Sequence, residues 1–128
     1  MRILLADPQP TVRFALRALL ERQPGVEVVG EASSAGTLLR QIRTRCPDLV
    51  LLDGSFCDAG GDVLSTLRAA CPALAVVVLS ARPETQPRAL EAGADGFVCK
   101  TDPPEALLAA VRSFRPAGRG GMPCRTVV

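Results

Sequence analysis

Four side chains that could do chemistry stand directly after short apolar runs of this sequence. They are Asp7 after ILLA, Asp53 after LVLL, Ser80 after VVVL and Lys100 after FVC. Carboxylates can hold Mg²⁺ or act as a nucleophile, while a hydroxyl and an ammonium can bind phosphoryl oxygens, so the set suits phosphoryl chemistry. Each residue type alone also occurs as a helix cap or a solvated side chain. Only a fold that brings all four together would make them a site.

The apolar pattern predicts elements that would do so. Aliphatic runs predict strands over residues 2–6, 26–32, 48–53, 73–80 and 96–100, and helical spacing predicts five helices between and after them. The fourth helix is expected over about Glu84–Ala92 with Gly93 as its cap, and the last over Pro103–Phe114. Alternating strands and helices predict an α/β fold with a doubly wound five-stranded parallel sheet. Ligands of such sheets lie beyond the carboxyl ends of the strands, where these four side chains stand.

Composition excludes several other kinds of protein. The 128 residues suffice for one domain, and the absence of histidine excludes Ser–His and Cys–His catalytic pairs within the chain. No G-x-G-x-x-G or P-loop motif supports nucleotide binding, and no apolar run approaches the roughly 20 residues that a membrane span needs. Without C-x-x-C spacing the five cysteines indicate no zinc site, so we expect a reducing, cytoplasmic setting.

The net charge of +2 comes from the end of the chain. Four arginines and no acidic residue occur from Arg112 onward, and the stretch PAGRGGMP is typical of a linker. We therefore expect a domain over residues 1–115 and a basic, linker-like tail over residues 116–128. The arginines of this tail are either a solvated end or a binding arm.

Several stretches of the chain resemble the receiver domains of two-component response regulators, in particular those of NarL/FixJ-type transcriptional regulators. The stretches are RILLAD, VVGEA, PDLVLLD, VVVLSA, ALEAGADGFVCK and EALLAAV, within about residues 1–114. The resemblance implies a flavodoxin-like (βα)5 fold with strand order 2-1-3-4-5. It also implies a signalling domain rather than an enzyme, with a sensor histidine kinase as its partner.

The same resemblance implies a role for each candidate residue. Asp53 would accept a phosphoryl group from the kinase histidine with the help of Mg²⁺, and Asp7, Asp53 and the backbone carbonyl of Ser55 would be the metal ligands. Lys100 would pair with the new charge, and Ser80 would move to bind it. Phe97 would be the aromatic residue that rotates inward on activation. Helix four, strand five and helix five would form the output or dimerisation surface.

The chain departs from the family pattern at positions that belong to the switch. Pro8 stands where the family usually has a second acid that ligates the metal, so we expect weakened Mg²⁺ binding. Cys57 replaces a usual proline after the acceptor, which predicts a freer loop, and Pro83 and Pro87 restrict remodelling of helix four. Gly61 still matches the glycine that begins helix three. Asp58 is either a solvated loop residue or a substitute acid for the metal.

Two functions remain open at this point. One is a phospho-acceptor receiver that uses Asp53 with a weakened metal site; the other is a pseudo-receiver controlled by a protein partner or a small ligand. An unrelated flavodoxin-like enzyme or nucleotide-binding domain is a third, less favoured alternative. The tail contains no recognition helix, so DNA binding would need an output domain that this sequence does not contain.

Overall fold

The computed structural model describes residues 1–58 and 63–114, without the side chain of Asp58. Three sequence-based expectations therefore lie outside the described residues. They are the linker-like tail from residue 116, the glycine match at Gly61 and the substitute acid at Asp58.

Strands and helices alternate along the described chain. The strands are β1 (Arg2–Ala6), β2 (Glu27–Ala32), β3 (Leu49–Asp53), β4 (Ala75–Ser80) and β5 (Gly96–Cys99). The helices are α1 (Pro10–Glu21), α2 (Ala35–Arg45), α3 (Ser55–Asp58), α4 (Val63–Ala70), α5 (Thr85–Glu91) and α6 (Pro104–Ser113). None of these helices is long and apolar enough to cross a membrane.

The five strands form one parallel sheet in the order β2-β1-β3-β4-β5, which confirms the predicted fold. The chain moves from β1 to β2 on one side and then crosses to β3 on the other, so the strand order reverses between β1 and β3. In register, Ala6 lies opposite Leu52. The residues that follow them, Asp7 and Asp53, are therefore neighbours at the point where such sheets bind ligands.

Side chains from both faces of the sheet form the hydrophobic core. Alternate residues of a strand point to opposite faces, so Leu4 and Leu52 pack beneath α2, α4 and α5, whereas Ile3 and Leu51 pack beneath α1 and α6. Every residue of β4 is buried. This burial on both faces explains why β3 and β4 are continuous aliphatic runs rather than alternating patterns.

The bounds of α5 and α6 lie within one residue of those predicted, and the main difference from the prediction follows Asp53. Gly93 has the positive φ (109°) expected of the residue that ends the fourth predicted helix. The loop predicted after Asp53 is instead the short helix α3, in which the Cys57 N–H donates to the Gly54 carbonyl at 2.9 Å. A proline at residue 57 could not donate this hydrogen bond, and the expected gain in loop freedom at Cys57 stays a prediction.

A disulfide joins Cys46, the residue that follows α2, to Cys71, the residue that follows α4, with the Cα atoms 5.9 Å apart. This pair was not predicted from the positions of the cysteines. The two residues are 25 positions apart, and connectivity of this kind cannot be deduced from spacing.

Candidate functional site

The ammonium group of Lys100 lies between two carboxylates at the carboxyl end of the sheet. Its Nζ donates to Asp7 Oδ2 at 2.7 Å and also to Asp53 Oδ1. Lys100 follows β5, and its backbone N–H continues the sheet by donating to the Ser80 carbonyl at 2.8 Å. The structure thus brings together three of the four residues that the sequence predicted at this edge.

Asp7 is the most enclosed of these residues, with 2% of its surface exposed. Its backbone is fixed by two contacts: its N–H donates to the Ala32 carbonyl at 3.0 Å, and Arg13 Nη1 donates to its carbonyl at 2.5 Å. The side chain then accepts a hydrogen bond from the Gln9 N–H at 2.9 Å. Because both carboxylate oxygens take part in hydrogen bonds, the side chain of Asp7 is held in one orientation beside Lys100.

Asp53 is held by the residue at the start of α3. Both the N–H and the hydroxyl of Ser55 donate to Asp53 Oδ2, at 3.0 and 2.5 Å, while Oδ1 accepts from Lys100. Burial by itself raises the pKa of Asp53, but the hydrogen bonds from Lys100 and Ser55 outweigh it and hold the pKa below its ordinary value. Asp53 is therefore ionised at neutral pH.

The pKa of Lys100 is shifted in the opposite direction from that of Asp53. Burial lowers the pKa of its ammonium, but the hydrogen bonds to Asp53 and Asp7 raise it more, so the pKa lies above its ordinary value. At neutral pH Lys100 is therefore a cation, and the side chains of Asp7 and Asp53 share its ammonium.

Ser80 lies at the same edge but does not contact Asp53 through its hydroxyl. Its Oγ accepts from the Arg82 N–H at 3.0 Å and is 3.3 Å from Thr85 Oγ1, so Ser80 is bound to the loop that leads into α5. Ser80 and Thr85 are both buried. Thr85 was not identified from the sequence, because a threonine in a proline-rich stretch does not indicate a binding or catalytic role.

Gly54 allows the backbone after Asp53 to approach Ser80 closely. A Cβ atom at Gly54 would lie 2.9 Å from Ser80 Cβ and 3.1 Å from Ser80 Oγ, closer than carbon atoms tolerate. A side chain at residue 54 would therefore collide with the side chain of Ser80, one of the four residues predicted at this edge of the sheet.

We predict that Gly54→Ala lowers the free energy of unfolding by about 1–3 kcal/mol, as overpacking of a filled interior usually does. Gly36→Ala is the matched control, because nothing lies within 4 Å of a Cβ at that position. The control should be neutral or stabilising by up to about 1 kcal/mol, since alanine favours helix. Urea denaturation of both variants measures the difference, and equal effects would mean that Ser80 does not limit the space at Gly54.

A cluster of two arginines and one glutamate next to Asp7 was also not predicted from the sequence. Arg13 and Arg17 of α1 donate to Glu31 of β2 through their Nε atoms, at 2.9 and 2.8 Å. The hydrogen bond from Arg17 lowers the pKa of Glu31 below its ordinary value, against the opposing effect of burial. The spacing of four residues between the arginines is a sequence signal for a shared helix face, but only the sheet pairing identifies Glu31 as their partner.

Comparison with known proteins agrees with this arrangement. Residues 3–112 match the family described as the response regulator receiver domain. The chain belongs to this family. The match covers the edge of the sheet that carries Asp7, Asp53 and Lys100.

Three relatives illustrate the range of similarity to this receiver domain. A putative transcriptional regulator of Pseudomonas aeruginosa is 36% identical over 115 residues, which are 88% of this chain and 55% of that protein. The solved structure of a LuxR-family two-component response regulator from Aurantimonas sp. SI85-9A1 has a TM-score of 0.79 and 35% identity, covering 88% of this chain and 82% of that one. The receiver domain of the putative response regulator NarL from Mycobacterium tuberculosis has a TM-score of 0.77 and 30% identity, covering 88% and 93%.

These matches confirm the resemblance to NarL-type receivers. The receiver domain spans about half the length of the curated relatives it matches. Receiver domains are generally signalling domains without enzymatic activity, and response regulators are the partners of sensor histidine kinases.

Receiver domains generally bind Mg²⁺ in the phosphorylation site, and the donor set of this receiver domain fits that ion. Asp7 and Asp53 supply carboxylate oxygens, the ligands that Mg²⁺ prefers, and both reach the same Lys100 ammonium. Among the described residues, however, no three histidine, cysteine, aspartate or glutamate side chains are grouped as a metal cluster. Pro8 follows Asp7 at the surface and has no side-chain oxygen to add.

The remaining predicted residues lie around this centre. Phe97 is half-buried on β5 and packs against the core beneath α5, and Cys57 is half-buried on α3 and packs against the same core. Pro87 lies in the first turn of α5, where its missing N–H is tolerated, and Pro83 precedes that helix.

Proposed function

We propose that this receiver domain signals by accepting a phosphoryl group on Asp53. The observation that carries the proposal is the sharing of Lys100 Nζ by Asp7 and Asp53 at the point where the strand order reverses. This arrangement combines an ionised carboxylate with a cation that could bind a phosphoryl oxygen. The sequence contains no histidine to act as a general base, and attack by an ionised carboxylate on phosphorus needs none.

In the proposed reaction, a carboxylate oxygen of Asp53 attacks the phosphorus of a phosphohistidine on the sensor kinase. The O–P bond forms as the N–P bond breaks, and the departing imidazole takes up a proton. The ionised state of Asp53 provides the electron pair without a general base. Lys100 then pairs with the phosphoryl charge, and Ser80 binds a phosphoryl oxygen after leaving its present contacts with Arg82 and Thr85.

The metal site of this proposal is weaker than is usual in the family. Asp7, Asp53 and the backbone carbonyl of Ser55 would hold Mg²⁺, which when bound supplies positive charge to the phosphoryl oxygens. Pro8 leaves one carboxylate fewer, and Mg²⁺ sites depend on few carboxylates. With a weaker metal site, Lys100 would neutralise a larger share of the negative charge of the phosphoryl group.

We further propose that the whole protein controls transcription in the cytoplasm through an output domain that binds DNA, with residues 1–115 as its receiver. A sensor histidine kinase would be the phosphodonor. The surface formed by α5, β5 and α6 would be the output or homodimerisation face, since it contains Phe97 and begins beside Ser80. The resemblance of the chain to transcriptional regulators supports this role.

The experiment is intact-protein mass spectrometry after incubation with Mg²⁺ and a small phosphodonor such as acetyl phosphate. We expect the mass of one phosphoryl group to be added to the unsubstituted chain and not to Asp53→Asn. Asparagine has nearly the same shape and cannot accept the group, so it is the matched control.

Failure to gain mass at millimolar Mg²⁺ would contradict the proposal. It would favour the second candidate, a pseudo-receiver regulated by a protein or a small ligand. The observation that favours this candidate is the replacement of a metal-binding acid by Pro8 in a site that otherwise retains its residues.

A further inference from the structure

Cys46 and Cys71 form a cross-link far from the phosphorylation site. Cys46 precedes β3 and Cys71 precedes β4, so both lie at the amino ends of the central strands, whereas Asp53 is at the carboxyl end of β3. The bridge ties the end of α2 to the end of α4 on the same face of the sheet. The segment that it closes contains all of β3 and α3.

The backbone at Cys46 supports a specific role for this cysteine. Its φ is 38° and its ψ is 66°, and it is the single non-glycine residue with positive φ in the described part of the chain. A residue that ends a helix in this left-handed conformation is usually glycine or asparagine, because a Cβ atom is disfavoured there. Local backbone preference therefore does not explain a cysteine at this position, and the bond to Cys71 does.

The two cysteine residues differ in exposure. Cys46 is exposed, whereas Cys71 is 2% exposed. The guanidinium of Arg2 donates to the backbone carbonyls of Arg45 and Cys46, at 2.7 and 3.3 Å. The guanidinium of Arg2 thus lies beside the backbone of Cys46, at the exposed end of the bridge.

We propose that Cys46 and Cys71 are a reversible thiol–disulfide site that sets the stability of the domain according to the redox state of its surroundings. The oxidant is a low-molecular-weight disulfide of the glutathione type. The Cys46 thiolate attacks one of its sulfur atoms and releases one thiol, and Cys71 then attacks the mixed disulfide at Cys46 and releases the second. Two protein thiols are oxidised, one disulfide is reduced to two thiols, and the two thiol protons pass to the released thiolates.

The bridge stabilises the fold by restricting the unfolded chain. Because it lies at the opposite end of the sheet from Asp53, oxidation should alter resistance to unfolding and leave the contacts of Lys100 intact. A disulfide in a reducing compartment is usually transient, which fits a sensor rather than a permanent link. This inference does not depend on phosphorylation of Asp53.

The test uses a chain in which the other three cysteines, Cys57, Cys99 and Cys124, are replaced by serine. We expect oxidised glutathione to remove both remaining thiols from reaction with an alkylating reagent, with a mass loss of two hydrogen atoms and no glutathione adduct. The melting temperature should rise by about 10 °C, since closure of a loop of this length restricts the unfolded chain substantially. Dithiothreitol should reverse both changes.

Cys46→Gly in the same background is the control. It cannot form the bridge, so its melting temperature should not respond to oxidised glutathione. With dithiothreitol present it should melt at or above the temperature of the parent, because glycine relieves the left-handed backbone. Peptide mapping of the unsubstituted chain after oxidation should find Cys46 linked to Cys71.

Three results would overturn the proposal. They are alkylation of both cysteines after oxidation, glutathione adducts in place of the bridge, and an equal melting temperature in the two redox states.

Discussion

Pro8→Asp is expected to tighten Mg²⁺ binding by at least about tenfold. The substitution adds a carboxylate directly after Asp7, whose side chain already faces Lys100 at 2.7 Å. Unit charges 4 Å apart near a protein surface attract by about 4 kcal/mol, and about 1.4 kcal/mol already corresponds to a factor of ten in affinity. Even part of this attraction, acting on a divalent ion, would raise the Mg²⁺ affinity by more than tenfold.

Calorimetric titration with Mg²⁺ measures this effect. Pro8→Asn is the matched control, because it frees the backbone and restores an N–H as aspartate does but adds no charge. We expect a clear gain in Mg²⁺ affinity for aspartate and a small gain for asparagine. Unchanged affinity in Pro8→Asp would place residue 8 outside the metal site, and equal gains would attribute the effect to the backbone.

Lys100→Met is expected to lower the free energy of unfolding by about 2–4 kcal/mol in a buffer with a chelator. The change leaves the carboxylates of Asp7 and Asp53 close together without their shared cation, and Asp7 has a side chain only 3% exposed. Removal of one partner of a buried ion pair costs about 3–5 kcal/mol, and the cost is somewhat smaller here because the Lys100 side chain is 24% exposed.

Urea denaturation with and without Mg²⁺ separates charge from packing. Mg²⁺ should stabilise Lys100→Met more than the unsubstituted chain, because a cation that binds only the folded state raises its stability. The double variant Asp53→Asn/Lys100→Met should be more stable than Lys100→Met alone, since one of the repelling carboxylates is neutralised. A double variant that is no more stable would show that the methionine acts through packing.

The sheet was predictable because its signals are local and redundant. Aliphatic runs mark β3 and β4 as buried on both faces, and Gly93 marks the end of α5 by a backbone conformation that few other residues adopt. Because strands alternate with helices, the strands are parallel and their carboxyl ends lie at one edge of the sheet. Asp7, Asp53 and Lys100 follow three of these strands, so their common location was predictable without side-chain contacts.

The features that the sequence did not predict depend on contacts between distant residues. The pairing of Cys46 with Cys71 and the binding of Arg13 to Glu31 arise only when separate elements pack together. Helix α3 was missed for a different reason, since the glycine-rich sequence around it is typical of a loop and four residues give no helical period.

Nuclear magnetic resonance with beryllofluoride, a phosphoryl mimic, can show whether Asp53 accepts a phosphoryl group beside a weakened metal site. We expect shifts of the amide signals of Asp53, Ser80 and Lys100 at millimolar Mg²⁺. Asp53→Asn should show none of these shifts, and Pro8→Asp should reach saturation at lower Mg²⁺. Unchanged spectra of the unsubstituted chain at millimolar Mg²⁺ and saturating beryllofluoride would contradict the proposal.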